Sequence, residues 1–377
     1  MKFMHISDLH IGKRVNDFSM LEDQAYIFDQ IQSIIMQEKV EGVLIAGDIY
    51  DKVVPSAEAV QLFDDFLTEL AAKKLPVFLI YGNHDSPERL AFGADLLKHS
   101  NVHVSPVYNG KIEPIIVEDA YGELAVYLLP FLKPAHVKHA FPEAEIGSYE
   151  EAVSYALSRI SVDTNRRNLM VAHQFVTGAA VCDSEELSIG GQDNISASLF
   201  ADFDYVALGH IHGPQHIEQE TVRYCGTPLK YSFSEVNHKK SVTIVELKEK
   251  GTVELTTVPL IPKRDMRKIK GTYLEVTSKS FYENSNTEDY LHITLTDEED
   301  VPDAMGKLRS IYPNLMKLEY DNKRTRENQS IDQCGEMEEK SPLDLFQEFY
   351  TLQNNQEMTE EQNEFIKNLM EKIWEDM

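Results

Sequence analysis

The chain has 377 residues, 42% of them hydrophobic, with 18 Gly, 15 Pro and 3 Cys, enough for one large core and a smaller unit. Lys and Arg number 36 against 63 Asp and Glu, and the formal charge of -27 excludes a protein that coats nucleic acid through bulk charge. A polyanionic substrate would need a local basic patch or metal ions. Cys182, Cys225 and Cys334 are far apart and form no C-x-x-C, which argues against a disulfide framework or zinc knuckle and for a reducing, cytoplasmic setting. No apolar run reaches the roughly 18 residues of a membrane span, and KFMHI at the start reads as a strand, so no membrane association or secretion is expected.

In chain order, apolar β-branched runs alternate with helical periodicity. Lys2 to Ile6 reads as a strand, 24–38 as a helix and GVLIAG at 42–47 as a second strand. A helix over 57–73, with Val60, Phe63, Leu67 and Leu70 on one face, leads to VFLIY at 77–81 and to a third helix over 87–98. This is βαβ with a parallel sheet. Beyond Val102 the runs IEPIIV, ELAVYLLP, NLMVAHQF, DYVALGH, SVTIVEL and TVELTTV follow closely, the last two joined by a turn at Lys250 and Gly251. The expected class is α/β, with mixed sheets flanked by helices.

After Pro262 the character shifts. Basic KRDMRKIKG at 263–271 precedes two expected strands, TYLEVT and YLHITLT, a helix over 303–310 and the strand LMKLEY, together a small α+β unit. The polar stretch 321–340 reads as a linker. Beyond it, 341–377 offers two amphipathic helices, one with Leu343, Phe346, Phe349 and Tyr350, the other with Phe365, Ile366, Leu369, Met370, Ile373 and Trp374. The divisions expected are 1–262, 263–320, 321–340 and 341–377.

Metal-capable side chains end the predicted strands: Asp8 and His10, Asp48, Asn83 and His84, His173, and His210 with His212. Strand ends of an open α/β sheet aim side chains from distant positions at one point, and each D-x-H or H-x-H pair falls on one side of an extended backbone. A lone D-x-H or G-N-H-D is a weak signal, and His5 and His103, inside apolar runs, read as core or edge histidines. The conjunction of all these motifs, each at a strand end, is what specifies a metal site. Carboxylate, carboxamide and imidazole donors without thiolate suit Mn²⁺ or Fe²⁺ better than structural zinc. They are too many for one tetrahedral ion, and two ions about 3.5–4 Å apart sharing a carboxylate would use them. Asp48, alone at the tip of a buried strand, is the natural bridge.

SDLHIGK at 7–13, GDIYDK at 47–52, GNHDSPERL at 82–90, AHQF at 172–175 and GHIH at 209–212 resemble the calcineurin-like metallophosphoesterase superfamily. Within it, HISDLHIGK, GNHDSPERL and YCGTPLKYSFSE at 224–235 resemble the SbcD-type DNA nuclease subunits. The resemblance covers 1–260 by motif and the remainder by architecture. It implies a layered metallophosphoesterase sandwich carrying a small capping, DNA-binding domain and a helical tail. It implies one metal on Asp8, His10, Asp48 and His212, and the other on Asp48, Asn83, His173 and His210. His84 would contact the scissile phosphate, supported by Asp85.

The resemblance further implies a Mn-dependent DNA exonuclease and endonuclease acting at DNA ends and hairpins in repair, recombination and replication. Its partner would be an SbcC-type coiled-coil SMC-like ATPase, docked on the tail, in a heterotetramer built on a homodimer of this chain. Residues 230–270 hold ten Lys and Arg against five Asp and Glu, a candidate source of basic charge beside the metals, whereas 321–377 hold 15 acids against 6 bases. Competing readings are a phosphomonoesterase or cyclic-nucleotide phosphodiesterase with the same ligands, and a repair scaffold without catalysis. The residues beyond Pro262 speak against the first, and the complete donor set against the second.

Overall fold

The computed structural model describes residues 1–185, 193–326, 342–354 and 358–375. Four strands, β1 (Lys2–Ile6), β2 (Gly42–Ala46), β3 (Val77–Ile80) and β4 (Val102–Val104), pair in parallel through the crossover helices α1 (Leu21–Glu38) and α2 (Ala57–Ala72). The chain then builds a second sheet from β5 (Ile115–Asp119), β6 (Gly122–Leu129), β7 (Arg167–His173), β8 (Tyr205–Gly209), β9 (Gln215–Ile217) and β10 (Gln219–Tyr224), with helices α3 (Pro134–Ala140) and α4 (Tyr149–Ser158). It returns to the first sheet as β11 (Ser241–Leu247), antiparallel to β1, and β12 (Val253–Pro259). The two six-stranded sheets run β12-β11-β1-β2-β3-β4 and β9-β10-β8-β7-β6-β5. They form the expected layered sandwich.

Period-two alternation explains the layering. Phe3, Leu44, Ala46, Phe78 and Ile80 pack with Leu124, Val126, Leu169, Val171, Tyr205 and Ala207 between the sheets. Their neighbours Met4, Ile6, Val43, Ile45 and Leu79 point outward and meet Ile27, Phe28, Ile31, Ile35, Phe63, Phe66 and Leu70 of α1 and α2. On the other side Tyr127, Met170, Ala172 and Leu208 meet Val137, Ala152 and Val153. The central strands are covered on both faces, so β2 and Leu169 to Ala172 of β7 read as unbroken apolar runs. The expected helix over 87–98 is split into short helices Pro87–Leu90 and Ala94–Leu97 by Gly93, whose φ of 72° is outside the helical region.

Two compact units divide the chain: Met1–Lys268 with Thr287–His292 and Tyr312–Lys317, and Ile269–Asn286 with Ile293–Ile311 and the residues from Leu318. Strands β13 (Met266–Gly271), β14 (Tyr290–Leu295) and β15 (Leu315–Tyr320) form a three-stranded sheet in that order, accompanied by α5 (Ala304–Arg309). One expectation is corrected here. TYLEVT is not a strand: Thr272 and Glu275 close a capping box that starts the helical turn Tyr273–Val276, and the strand is the basic MRKIKG before it. Of the expected linker, 327–340 lie outside the described residues. The tail holds α6 (Pro342–Asn354) and α7 (Glu360–Glu375), joined by Gln347 Nε2 donating to Asn363 Oδ1 at 2.6 Å. Leu345, Phe349, Phe365 and Leu369 are exposed there, while the side chains of Ile373 and Trp374 lie outside the described residues.

Candidate metal centre

The seven expected ligands and His84 lie at the carboxyl ends of β1, β2, β3, β7 and β8 or in the loops just beyond. The turns that take them there are sharp: Asp8, His10, Asp48 and His210 have φ of 52°, 43°, 50° and 106°, left-handed values that cost a non-glycine residue energy and concentrate at functional sites. The loops after β1 and β2 run side by side, with Asp8 N donating to Gly47 O and His10 N to Asp48 O, both at 3.0 Å. Two glycines let the strand ends close. A Cβ on Gly82 would stand 2.1 Å from Asp48 Oδ1, and one on Gly209 1.8 Å from Ala46 O.

Each aspartate is oriented by a backbone amide: His210 N donates to Asp8 Oδ1 at 2.9 Å, and His84 N to Asp48 Oδ1 at 3.0 Å. That leaves Asp48 Oδ2 facing His173 Nε2 at 3.5 Å, His10 Nε2 at 3.7 Å and His84 Nε2 at 3.9 Å. His10 Nε2 and His212 Nε2 are 3.2 Å apart. Asn83 Oδ1 lies 3.1 Å from His173 Nε2 and 2.9 Å from His210 Nδ1. Metal–ligand bonds of about 2.1 Å at right angles or tetrahedral angles put neighbouring donors roughly 3.0–3.4 Å apart, so this spacing suits coordination. Asp8, His10 and His212 form one group within 4.8 Å, and Asp8, Asp48 and His173 another.

The electrostatics make the same point. Burial pushes Asp8 up to about 6, against the pull of His173 and His212. Burial would raise Asp48 as well, but His173 and His10 hold it well below the usual carboxylate range. His173, despite burial, is lifted to about 9 by Asp48, Asp8 and the Ala46 carbonyl, and His212 to about 10 by Cys182, Glu235 and Asp8. Burial drives His10 well down and, with His173, His210 to about 3. Buried anions here draw protons onto neighbouring imidazoles. Divalent cations would supply that charge and take neutral rings as ligands. Among the described residues the buried His10 Nδ1 and His210 Nε2 have no hydrogen-bond partner, while His10 Nε2 and His210 Nδ1 are the ring nitrogens that face the other donors. The residues fit the metals.

His84 is partly exposed, with Nδ1 3.2 Å from the Asp51 carbonyl and Nε2 toward Asp48. Asp85 differs from the expectation that it supports this imidazole. Among the described residues its oxygens accept the backbone amides of Ile49 and Tyr50 at 3.0 Å and of Gly82 at 2.9 Å, so it ties the loop after β2 to the loop after β3. It positions Asp48 and Asn83 together, through the backbone.

Basic charge is also differently placed. Eight of the ten cations between 230 and 270 are in ion pairs, among them Lys230 with Asp265, Lys240 with Glu235, Lys250 with Asp204 and Arg264 with Glu22. Lys52, exposed on the loop that carries Asp48, and Arg89, exposed on the short helix after His84, have no ion pair among the described residues.

Residues 1–214 match the calcineurin-like phosphoesterase family. The chain belongs to this family. Residues 262–354 match the type 5 capsule protein repressor C-terminal domain. Over 374 residues the chain is 31% identical to the SbcD subunit of the SbcCD nuclease of Staphylococcus epidermidis, covering 98% of each protein, and it is a homologue of that nuclease component. Among solved structures it is similar to a dimetal phosphatase from Danio rerio, at 15% identity and TM-score 0.41 over 69% of this chain and 99% of that one. As a calcineurin-like phosphoesterase the chain is a metal-dependent hydrolase that works with divalent ions. Among the described residues no helix is long and apolar enough to cross a membrane.

This phosphoesterase site also recruits residues that the sequence did not single out. Ser7 Oγ donates to Asp8 Oδ2. Asp51 pairs with Lys13 at 2.7 Å beneath His10. Ser184, Glu235 and Lys240 surround His212. Only the SFSE motif hinted at this group, because the contacts join segments remote in sequence.

Proposed function

We propose that the chain is a two-metal DNA exonuclease and endonuclease that hydrolyses phosphodiester bonds at DNA ends and hairpins. The observation that carries the reading is Asp48 Oδ2, turned toward imidazoles of both donor groups, as a shared ligand must be. Asp8, His10, Asp48 and His212 hold one ion, and Asp48, Asn83, His173 and His210 the other, with Mn²⁺ favoured by the oxygen and imidazole donors. Two such ions, when bound, neutralise phosphate oxygens and supply a nucleophile at neutral pH for in-line displacement. His84 donates its Nδ1–H to the Asp51 carbonyl, so it gives a hydrogen bond to the phosphate or the departing oxygen only from a protonated Nε2, as an imidazolium. Asp85 keeps the two ligand loops in register. Lys52 and Arg89, exposed and close in sequence to Asp48 and His84, are suited to DNA phosphates near the scissile bond.

The similarity to a component of the SbcCD nuclease supports a coiled-coil SbcC-type ATPase as partner, acting in the cytoplasm in DNA repair. The exposed Leu345, Phe349, Phe365 and Leu369 on the tail helices suit a helix-in-groove contact with it. Val53, Val54, Phe92 and Leu96, exposed on the segments following the ligand loops, support a homodimer formed there. The test compares linear and hairpin duplex DNA with p-nitrophenyl phosphate in Mn²⁺, with and without the partner. Preferential cleavage of DNA is expected. Turnover of the small ester with DNA untouched would favour a phosphomonoesterase.

A further inference from the structure

Three of the imidazoles at the site, those of His173, His84 and His212, are anchored, and in two ways. His173 Nδ1 lies 2.7 Å from the Ala46 carbonyl and His84 Nδ1 3.2 Å from that of Asp51, so the backbone fixes which nitrogen carries the proton. His212 is held by a side chain: its Nδ1 is 2.7 Å from Ser184 Oγ, which is 2.6 Å from Glu235 Oε1. Glu235 is fully buried. Its Oε1 also accepts the Tyr231 amide at 3.1 Å, and Lys240 Nζ donates to its Oε2. Lys240 further donates to the His212 carbonyl at 2.9 Å and to Thr227 Oγ1 at 2.6 Å.

These partners set a direction. A carboxylate bridged by an ammonium and an amide only accepts, so the Ser184 hydroxyl proton points at Glu235 and its lone pair receives the Nδ1 proton of His212. The Nε2 lone pair then faces His10 and the donor group. The opposite tautomer would put a proton where a ligand is needed. The segment bearing Ser184 is itself fastened to His212: Glu185 Oε1 accepts the His212 amide at 2.8 Å, Glu185 Oε2 accepts the Cys182 amide, and Asp183 N donates to Ser234 Oγ at 3.1 Å.

We propose that Ser184, oriented by the buried Glu235–Lys240 pair, is the positioning residue that selects the metal-binding tautomer of His212 and so sets the affinity of one of the two ions. The proposal rests on the two-ion reading above. Outer partners of ligating histidines are worth roughly tenfold to a hundredfold in metal affinity.

The test is Mn²⁺ titration of the full chain by calorimetry and electron paramagnetic resonance. Ser184→Ala should weaken one ion roughly tenfold to a hundredfold and leave the other at wild-type affinity. The metal-free melting temperature should hold, because Glu235 keeps Lys240 and Tyr231. Ser184→Thr should restore the site, and Glu235→Gln, whose amide can donate as well as accept, should weaken the same ion. Two ions at wild-type affinity in Ser184→Ala would overturn the proposal. So would equal loss of both ions with a lowered melting temperature, which marks a merely structural role. A wild-type chain binding fewer than two ions would instead overturn the two-ion reading.

Discussion

Asp48→Asn isolates the shared ligand. The amide keeps the volume and the oxygen that accepts the His84 N–H at 3.0 Å, so the loop should stay in place. What changes is the other atom, now 3.5 Å and 3.7 Å from the Nε2 atoms of His173 and His10, where a neutral NH₂ replaces a charged oxygen. That group donates to an imidazole lone pair and competes with a metal for it. If losing an outer partner costs up to about a hundredfold, losing a direct anionic ligand should cost each ion more than about a hundredfold, or roughly 2.7 kcal/mol. Both ions should weaken together in Mn²⁺ titration, whereas His173→Gln should weaken only one. Hydrolysis of every substrate should fall in parallel. One ion at wild-type affinity in Asp48→Asn would refute the bridge.

His84→Gln should leave both Mn²⁺ affinities near wild type while lowering turnover roughly 10²–10⁴-fold, the range of a lost proton donor, and a loss of metal would make His84 a ligand. His173 is protonated more readily in the fold than in the unfolded chain, so its contribution to metal-free stability is full below about 6.5 and is lost as pH rises through about 9. Scanning fluorimetry should therefore show the metal-free melting temperature falling from pH 6.5 to 9 and the gain from added Mn²⁺ growing over the same interval, and a flat gain would contradict it. A chain ending at Tyr320 should retain Mn²⁺ binding and weak nuclease activity but lose co-elution with the ATPase, as should Leu369→Asp with Phe365→Asp, since an unpaired carboxylate in a helix interface is strongly unfavourable. Co-elution at wild-type affinity would refute tail docking.

The sandwich was legible because its strands are covered on both faces. GVLIA and the LMVA within NLMVAH are apolar throughout, and every position of β2 and β7 is buried. Where one face is wet, alternation misleads: TYLEVT has the pattern of a strand, yet its T-x-x-E spacing carries the capping box that makes it a helical turn. Gly93 likewise breaks a helical periodicity that the apolar residues alone would continue. In both places a local backbone preference outweighs the side-chain period.

The donors were legible for a different reason. A side chain at a strand end is placed by topology, so Asp8, Asp48, Asn83, His173 and His210 converge without any contact having to be guessed. The residues around them depend on pairings that the order of motifs does not contain. Asp85 sits next to His84 in sequence, but its carboxylate reaches the amides of Ile49 and Tyr50, freed from pairing by the sharp turn at Asp48. The cations of 230–270 look like a basic patch until Glu22, Asp204 and Asp289 arrive from elsewhere to neutralise them. Ser184 and Glu235 meet at His212 from opposite sides along the chain. Topology brings the ligands to one place; which nitrogen each imidazole presents is then decided by partners that only the folded chain supplies, and those partners are where metal affinity can be tuned without changing a ligand.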